Sequence, residues 1–224
     1  MHDLPPLPDP AAVERTRRVV VAGHRGDAET VRRHVADPSA DVRAAALGAL
    51  HRCGELDGAV LRDAFRDDAS EVRARAAELA PVLGVDPSDL LRDTEPRVVE
   101  IAAFACGELD WPEVAPDRFE APIEVLSQVA TTHDDALCRE SAAAALGAIG
   151  DERGLNAVLV ACADRVTVRR RATLALAAFD DPRADAALHD ALSDKDWQVR
   201  QAAEDLLEVG RSLDGDPDPD AYAQ

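Results

Sequence analysis

The sequence predicts an all-α protein, a right-handed α-solenoid of about six helix pairs, on three observations. One alanine-rich pattern recurs six times along the 224 residues. The hydrophobic share of 46% includes only 3% aromatic residues, so the interior has to be built from Ala, Val and Leu. Such side chains suit closely approaching helices better than an aromatic-rich β-sandwich. The interval between copies is near 30 residues, as in stacked repeats that bury a face only against their neighbours.

Each copy opens on an apolar residue, usually followed by Arg, with Ala four positions on and an apolar pair at seven and eight. The copies start at Val42, Val72, Val98, Cys138, Val168 and Val199, spaced 30, 26, 40, 30 and 31 residues apart. Offsets 0, 4, 7, 8 and 11 share one face of a 3.6-residue helix, so each copy is an inner helix with a narrow seam of small residues. Second helical segments lie between the copies at 28–36, 58–65, 88–93, 122–130, 154–163 and 183–192, the third of them short. Asp37-Pro38, Asp86-Pro87 and Asp181-Pro182 place an acceptor at a helix cap and a proline where no amide donor is needed. Asp68 with Glu71 reads as a capping-box-like pair.

The first helix, about residues 11–22, is expected to cap the stack, and the solenoid to span 11–210. A Pro-rich N-terminus (1–10) and an acidic tail (211–224) are expected to be disordered. The 40-residue interval holds an inserted, Pro-rich loop at 110–122, on which Trp111 and Phe119 are candidate anchors for a partner.

Residues 138–151, CRESAAAALGAIGD, together with Asp194, Val199, Arg200 and Ala203, follow the pattern D-x-x-x-x-V-R-x-x-A-x-x-A-L-G-x-I-G-D. On these residues the chain resembles the short HEAT-like repeats first described in phycobilin lyases, over residues 27–210. The resemblance implies a ladder in which a turn Asp and a helix Arg recur along the stack. Asp37/Arg43, Asp67/Arg73 and Asp194/Arg200 keep its six-residue spacing, and Arg139 and Arg169 occupy the helix position in their copies. The pattern breaks where Asp93 is followed by Val99 and where His133 replaces the Asp.

Charge narrows the function. The chain carries 44 acidic against 25 basic residues, a net charge of −19, and Lys195 is its single lysine. That balance opposes phosphate backbones and anionic membranes, whose binding draws on basic side chains, so neither nucleic acid nor membrane is an expected partner. It resembles the composition of proteins from extremely halophilic archaea. No apolar run approaches the length of a membrane span, and the expected location is cytoplasmic.

The residues offer little for catalysis. Cys53, Cys106, Cys138 and Cys162 have no C-x-x-C spacing, and no phosphate-loop or serine-nucleophile motif is present. The related di-iron hydroxylases carry His-Glu pairs, which this sequence lacks. His133-Asp134 and His189-Asp190 read as surface residues, and His51 with Cys53 is the one pair with coordinating character. No enzyme activity, metal or cofactor is therefore expected. The expected function is that of a monomeric, protein-binding adaptor using its inner helices. Phe104 and Leu174, flanked by Glu100, Glu140 and Arg170, form the candidate apolar contact patch. Resemblance alone implies one alternative, a bilin-lyase-like or chromophore-chaperone activity; a structural subunit of a larger complex, with no regulated binding, is a third reading.

Overall fold

A computed structural model describes residues 9–114 and 120–213, all of them in helices and the turns that join them. The chain divides into two compact units, Met1–Ala105 and Cys106–Gln224. The first contains α1 (Pro10–His24), α2 (Ala28–Arg32), α3 (Ala40–Arg52), α4 (Gly58–Ala64), α5 (Ser70–Leu79), two 3₁₀ segments (Pro81–Leu83 and Ser88–Arg92) and most of α6 (Pro96–Gly107). The second continues with α7 (Trp111–Val114), α8 (Glu120–Thr132), α9 (Ala136–Ile149), α10 (Leu155–Ala161), α11 (Val166–Ala175), α12 (Pro182–Ala191) and α13 (Trp197–Leu213). Short 3₁₀ turns at Glu152–Gly154 and Leu176–Ala178 complete it. The termini expected to be disordered lie largely outside the described residues, as does Phe119.

The six predicted inner helices are α3, α5, α6, α9, α11 and α13, an all-α repeat architecture. Their seam residues are buried: Val42, Ala46, Ala49 and Leu50 in α3, and Cys138, Ala142, Ala145 and Leu146 in α9. Small side chains are needed because the backbones nearly touch. A Cβ added to Gly23 would lie 2.7 Å from Ala49 Cβ, and one on Gly147 only 2.7 Å from the Ala175 Cα. Gly107 stands in the same relation to Ala145, at 3.0 Å from its Cα. Within each unit, then, the residue at offset nine of one inner helix meets the residue at offset seven of the next.

The arginines tie the repeats together within each unit. Arg43 donates from Nε and Nη2 to the Asp67 carboxylate at 2.8 and 2.6 Å, and from Nη1 to the Asp37 carbonyl at 2.9 Å. Arg73 does the same with Asp93 (2.6 and 2.8 Å) and the Asp67 carbonyl (2.9 Å). In the second unit Arg139 clasps Asp164 and the His133 carbonyl, and Arg169 clasps Asp194 and the Asp164 carbonyl. The planar guanidinium has enough donors to serve both partners at once, which a lysine ammonium cannot reproduce bidentately.

This geometry corrects the expected ladder. An Arg and the Asp six residues before it share a carbonyl bond; the carboxylate contact runs forward to the Asp of the following repeat. Asp93 and Asp164 are therefore rungs although the six-residue spacing does not mark them. So is the first helix, whose Arg15 clasps Asp37 at 2.9 and 3.1 Å, so that α1 acts as a further inner helix.

Two cap assignments also shift. α3 begins at Ala40, and Asp37 accepts from the Ser39 N–H at 2.9 Å in a turn ahead of the helix. Asp67, Asp93 and Asp194 make the equivalent bond two residues on. Asp68 does not cap α5 with Glu71, because Asp67 already holds that turn and the Asp68 carboxylate faces Arg43 at 2.9 Å. The Asp181-Pro182 start is as expected, with Asp181 accepting from the Arg183 N–H at 2.8 Å.

The predicted loop at 110–122 is partly helical, comprising α7 and the first turn of α8. Trp111 is not a solvent-facing anchor. It is 1% exposed and its Nε1 donates to the Cys106 carbonyl at 2.8 Å. The indole is thereby held in the core beside the end of α6.

Two predictions follow from the packing and the ladder. Ala normally exceeds Gly in helix stability by about 1 kcal/mol, yet Gly147→Ala is expected to lower stability by about 1–2 kcal/mol, since the new methyl presses on backbone that has no rotamer to give; urea unfolding measures the sign. The second concerns Asp93, whose pKa is held below its ordinary value by the Arg73 hydrogen bond, against the opposing effect of burial and with help from the Glu95 N–H. The resulting stability is complete above the unfolded carboxylate value of about 4 and is lost as pH falls through the lower folded value. Asp93→Asn should cost about 2–3 kcal/mol near neutral pH, and the difference from wild type should narrow below about pH 4.

Candidate functional site

The inner helices bury their seams and leave other positions to solvent, and those positions form the candidate site. In the second unit Leu174 on α11 is 43% exposed, so it does not serve as packing between repeats. Glu140 and Arg170 are half-buried at the matching position of α9 and α11. Arg170 donates to Gln198 Oε1 at 2.6 Å, and Arg171 lies 3.8 Å from the Glu140 carboxylate. Charged side chains thus bridge consecutive inner helices beside the exposed leucine.

More apolar surface lies at the helix starts. Trp197 is 63% exposed as the first residue of α13, Val166 occupies the same position in α11, and Leu137 is exposed in the first turn of α9. Offsets counted forward from each repeat start pass over these residues. The available signal was an apolar side chain just before the seam, where an amphipathic helix normally opens on a polar first turn.

In the first unit Glu100 is half-buried and Phe104 exposed on α6. A groove of about 410 Å³ runs between α5 and the start of α6, lined among others by Ala44, Glu71, Arg75, Glu78 and Arg97. Arg75 bonds Glu78 at 2.6 Å and lies over Gly48, whose missing side chain makes room for the guanidinium. Gly48 is thereby buried. The five residues of the predicted contact patch therefore divide between the units: Glu100 and Phe104 in the first, Glu140, Arg170 and Leu174 in the second.

The reactive side chains have structural surroundings. Cys106 and Cys138 are buried in the seam, and burial pushes the Cys162 thiol up to about 11. Cys53 Sγ approaches the Gly23 carbonyl at 3.6 Å. His133 Nδ1 accepts from the Asp135 N–H at 3.1 Å, the turn bond that an Asp makes in other repeats. Among the described residues no group of three His, Cys, Asp or Glu side chains is placed to hold a metal ion. Nor is any described helix long and apolar enough to cross a membrane.

Comparison with known proteins agrees with this architecture. The PBS lyase HEAT-like repeat model matches residues 139–164 and 168–194, which cover α9 to the turn before α13. No curated protein matches the sequence. Among solved structures, two engineered proteins are similar. One has 21% identity and a TM-score of 0.61, covering 83% of this chain and 97% of its own. The other has 20% identity and a TM-score of 0.62, covering 83% and 99%. The X-ray structure of YIBA_ECOLI has 15% identity and a TM-score of 0.61, covering 94% of this chain and 79% of the other. At these identities the likeness is one of fold alone. The two matched repeats, the recurring seam and the arginine ladder support a HEAT-like repeat protein with an all-α, solenoid architecture.

Proposed function

We propose that this protein is a non-enzymatic adaptor that holds a protein partner on the exposed positions of its inner helices. The observation that carries the proposal is the apolar set Leu137, Val166, Leu174 and Trp197 on three consecutive inner helices of the second unit, bordered by Glu140, Arg170 and Arg171. Aromatic and aliphatic anchors ringed by charged side chains are the composition of a protein-binding surface. Repeats that contact only their neighbours supply such a surface without requiring a pocket. Phe104 adds an exposed aromatic in the first unit.

The composition supports a salt-rich cytosol as the setting, with acidic side chains keeping the surface hydrated and their mutual repulsion screened. A bilin-lyase-like activity has weaker support, since the Cys106 and Cys138 thiols are buried, Cys162 is held protonated at neutral pH, and Cys53 is turned toward the Gly23 carbonyl at 3.6 Å.

The test is a Leu174→Asp, Trp197→Asp double variant, with helix content checked by circular dichroism in high salt. Used as bait at native salt in the native host's extract, it should recover at least about tenfold less of the partners that wild type retains. Equal recovery by the folded variant would count against this surface.

A further inference from the structure

We propose that the segment held by the second unit is acidic and amphipathic, with a carboxylate between two apolar side chains that seats on Arg170. The inference rests on the partner-binding reading above and names the chemistry of what binds there. It starts from three consecutive arginines in α11 with different surroundings. Arg169 is buried and clasps Asp194, and Arg171 lies 3.8 Å from the Glu140 carboxylate. Arg170 makes no ion pair among the described residues; its Nη1 donates to Gln198 Oε1 at 2.6 Å. A neutral amide from α13 thus holds this guanidinium and leaves its charge uncompensated.

That charge stands in the middle of the apolar surface. Val166, Arg170 and Leu174 follow one another at four-residue intervals and form a single row along α11. Val166 and Leu174 are 38% and 43% exposed, and Arg170 is half-buried between them. Exposed Trp197 is the chain neighbour of Gln198 on the adjoining helix. A partner that covers both aliphatic side chains also covers the guanidinium between them. Taking a cation out of water with only an amide oxygen as acceptor is costly. A carboxylate offsets that cost, because its two oxygens match the parallel N–H donors of the planar group. Two acids on the flanking helices are engaged elsewhere: Asp205 accepts from Gln201 Nε2 at 2.8 Å, and Glu140 faces Arg171.

A basic segment would set like charge against Arg170, and a wholly apolar one would bury it unpaired. The chain's net charge of −19 opposes an acidic partner at long range. Molar salt screens that field over about 3 Å, and a carboxylate bonded to Arg170 lies within that distance. Contact chemistry along the α11 row then decides which segment is held.

Random peptides displayed on phage and selected in molar salt against the full chain test this. Peptides that fail to bind the folded Leu174→Asp, Trp197→Asp variant are expected to carry Asp or Glu between apolar residues. Their affinity, read by fluorescence anisotropy, should fall at least about tenfold with Arg170→Gln, which removes the charge. Exchanging the peptide's acid for Lys or Arg should restore binding to Arg170→Glu and abolish it for wild type. Peptides that need Leu174 and Trp197 yet carry no acid, or that bind Arg170→Gln as tightly as wild type, would overturn the inference and leave the adaptor surface standing. A selection in which no peptide needs Leu174 and Trp197 would count against the surface itself, and the inference would fall with it.

Discussion

A guanidinium held on two sides is the interaction on which each unit depends. One edge of the arginine fixes the turn that starts its own helix by bonding a carbonyl; the other reaches the carboxylate of the next turn. That same carboxylate organises its own turn through a backbone N–H. The order of one repeat is thus transmitted to the next by a single planar side chain, and the Ala and Gly seam lets the helices come close enough for it to span them. The rung side chains are largely shielded, with Arg73 14% and Asp93 6% exposed. Mobile ions screen such a pair much less than a surface pair, which suits a chain with so acidic an exterior.

The two departures from the pattern are consistent with this division of labour. Residue 99 is Val and supplies no guanidinium; residue 133, the turn position of the following repeat in chain order, is His and supplies no carboxylate. His133 retains the remaining duty of the turn residue, offering Nδ1 to the Asp135 N–H and its carbonyl to Arg139. The boundary between the two units, at Ala105 and Cys106, falls in the repeat that begins at Val98 and lacks the arginine.

Much of the architecture was legible because packing in a repeat protein is local. The starts at Val42, Val72, Val98, Cys138, Val168 and Val199 all fall in inner helices, and the short third segment at 88–93 forms only a 3₁₀ turn. What spacing could not convey was direction. A six-residue interval between Asp37 and Arg43 looks like an ion pair, but the carboxylate bond runs to Asp67, 24 residues on. Arg15 escaped notice because α1 lacks the alanine pattern. Trp111 was misplaced for a related reason: Pro-rich surroundings suggest a loop, while a large ring gains most by filling a gap beside helices lined with alanine. The candidate surface was half visible, in Phe104 and Leu174; Trp197 and Val166 lay just ahead of the counted positions.

A double-mutant cycle on Arg169 and Asp194, using Arg169→Met, Asp194→Asn and the pair, tests the ladder most directly by urea unfolding in low and in molar salt. A forward-reaching, shielded rung predicts a coupling energy of at least about 1 kcal/mol that persists in molar salt. Coupling below about 0.3 kcal/mol, or coupling that disappears as salt is added, would contradict the account, since the pair would then behave as an ordinary surface contact.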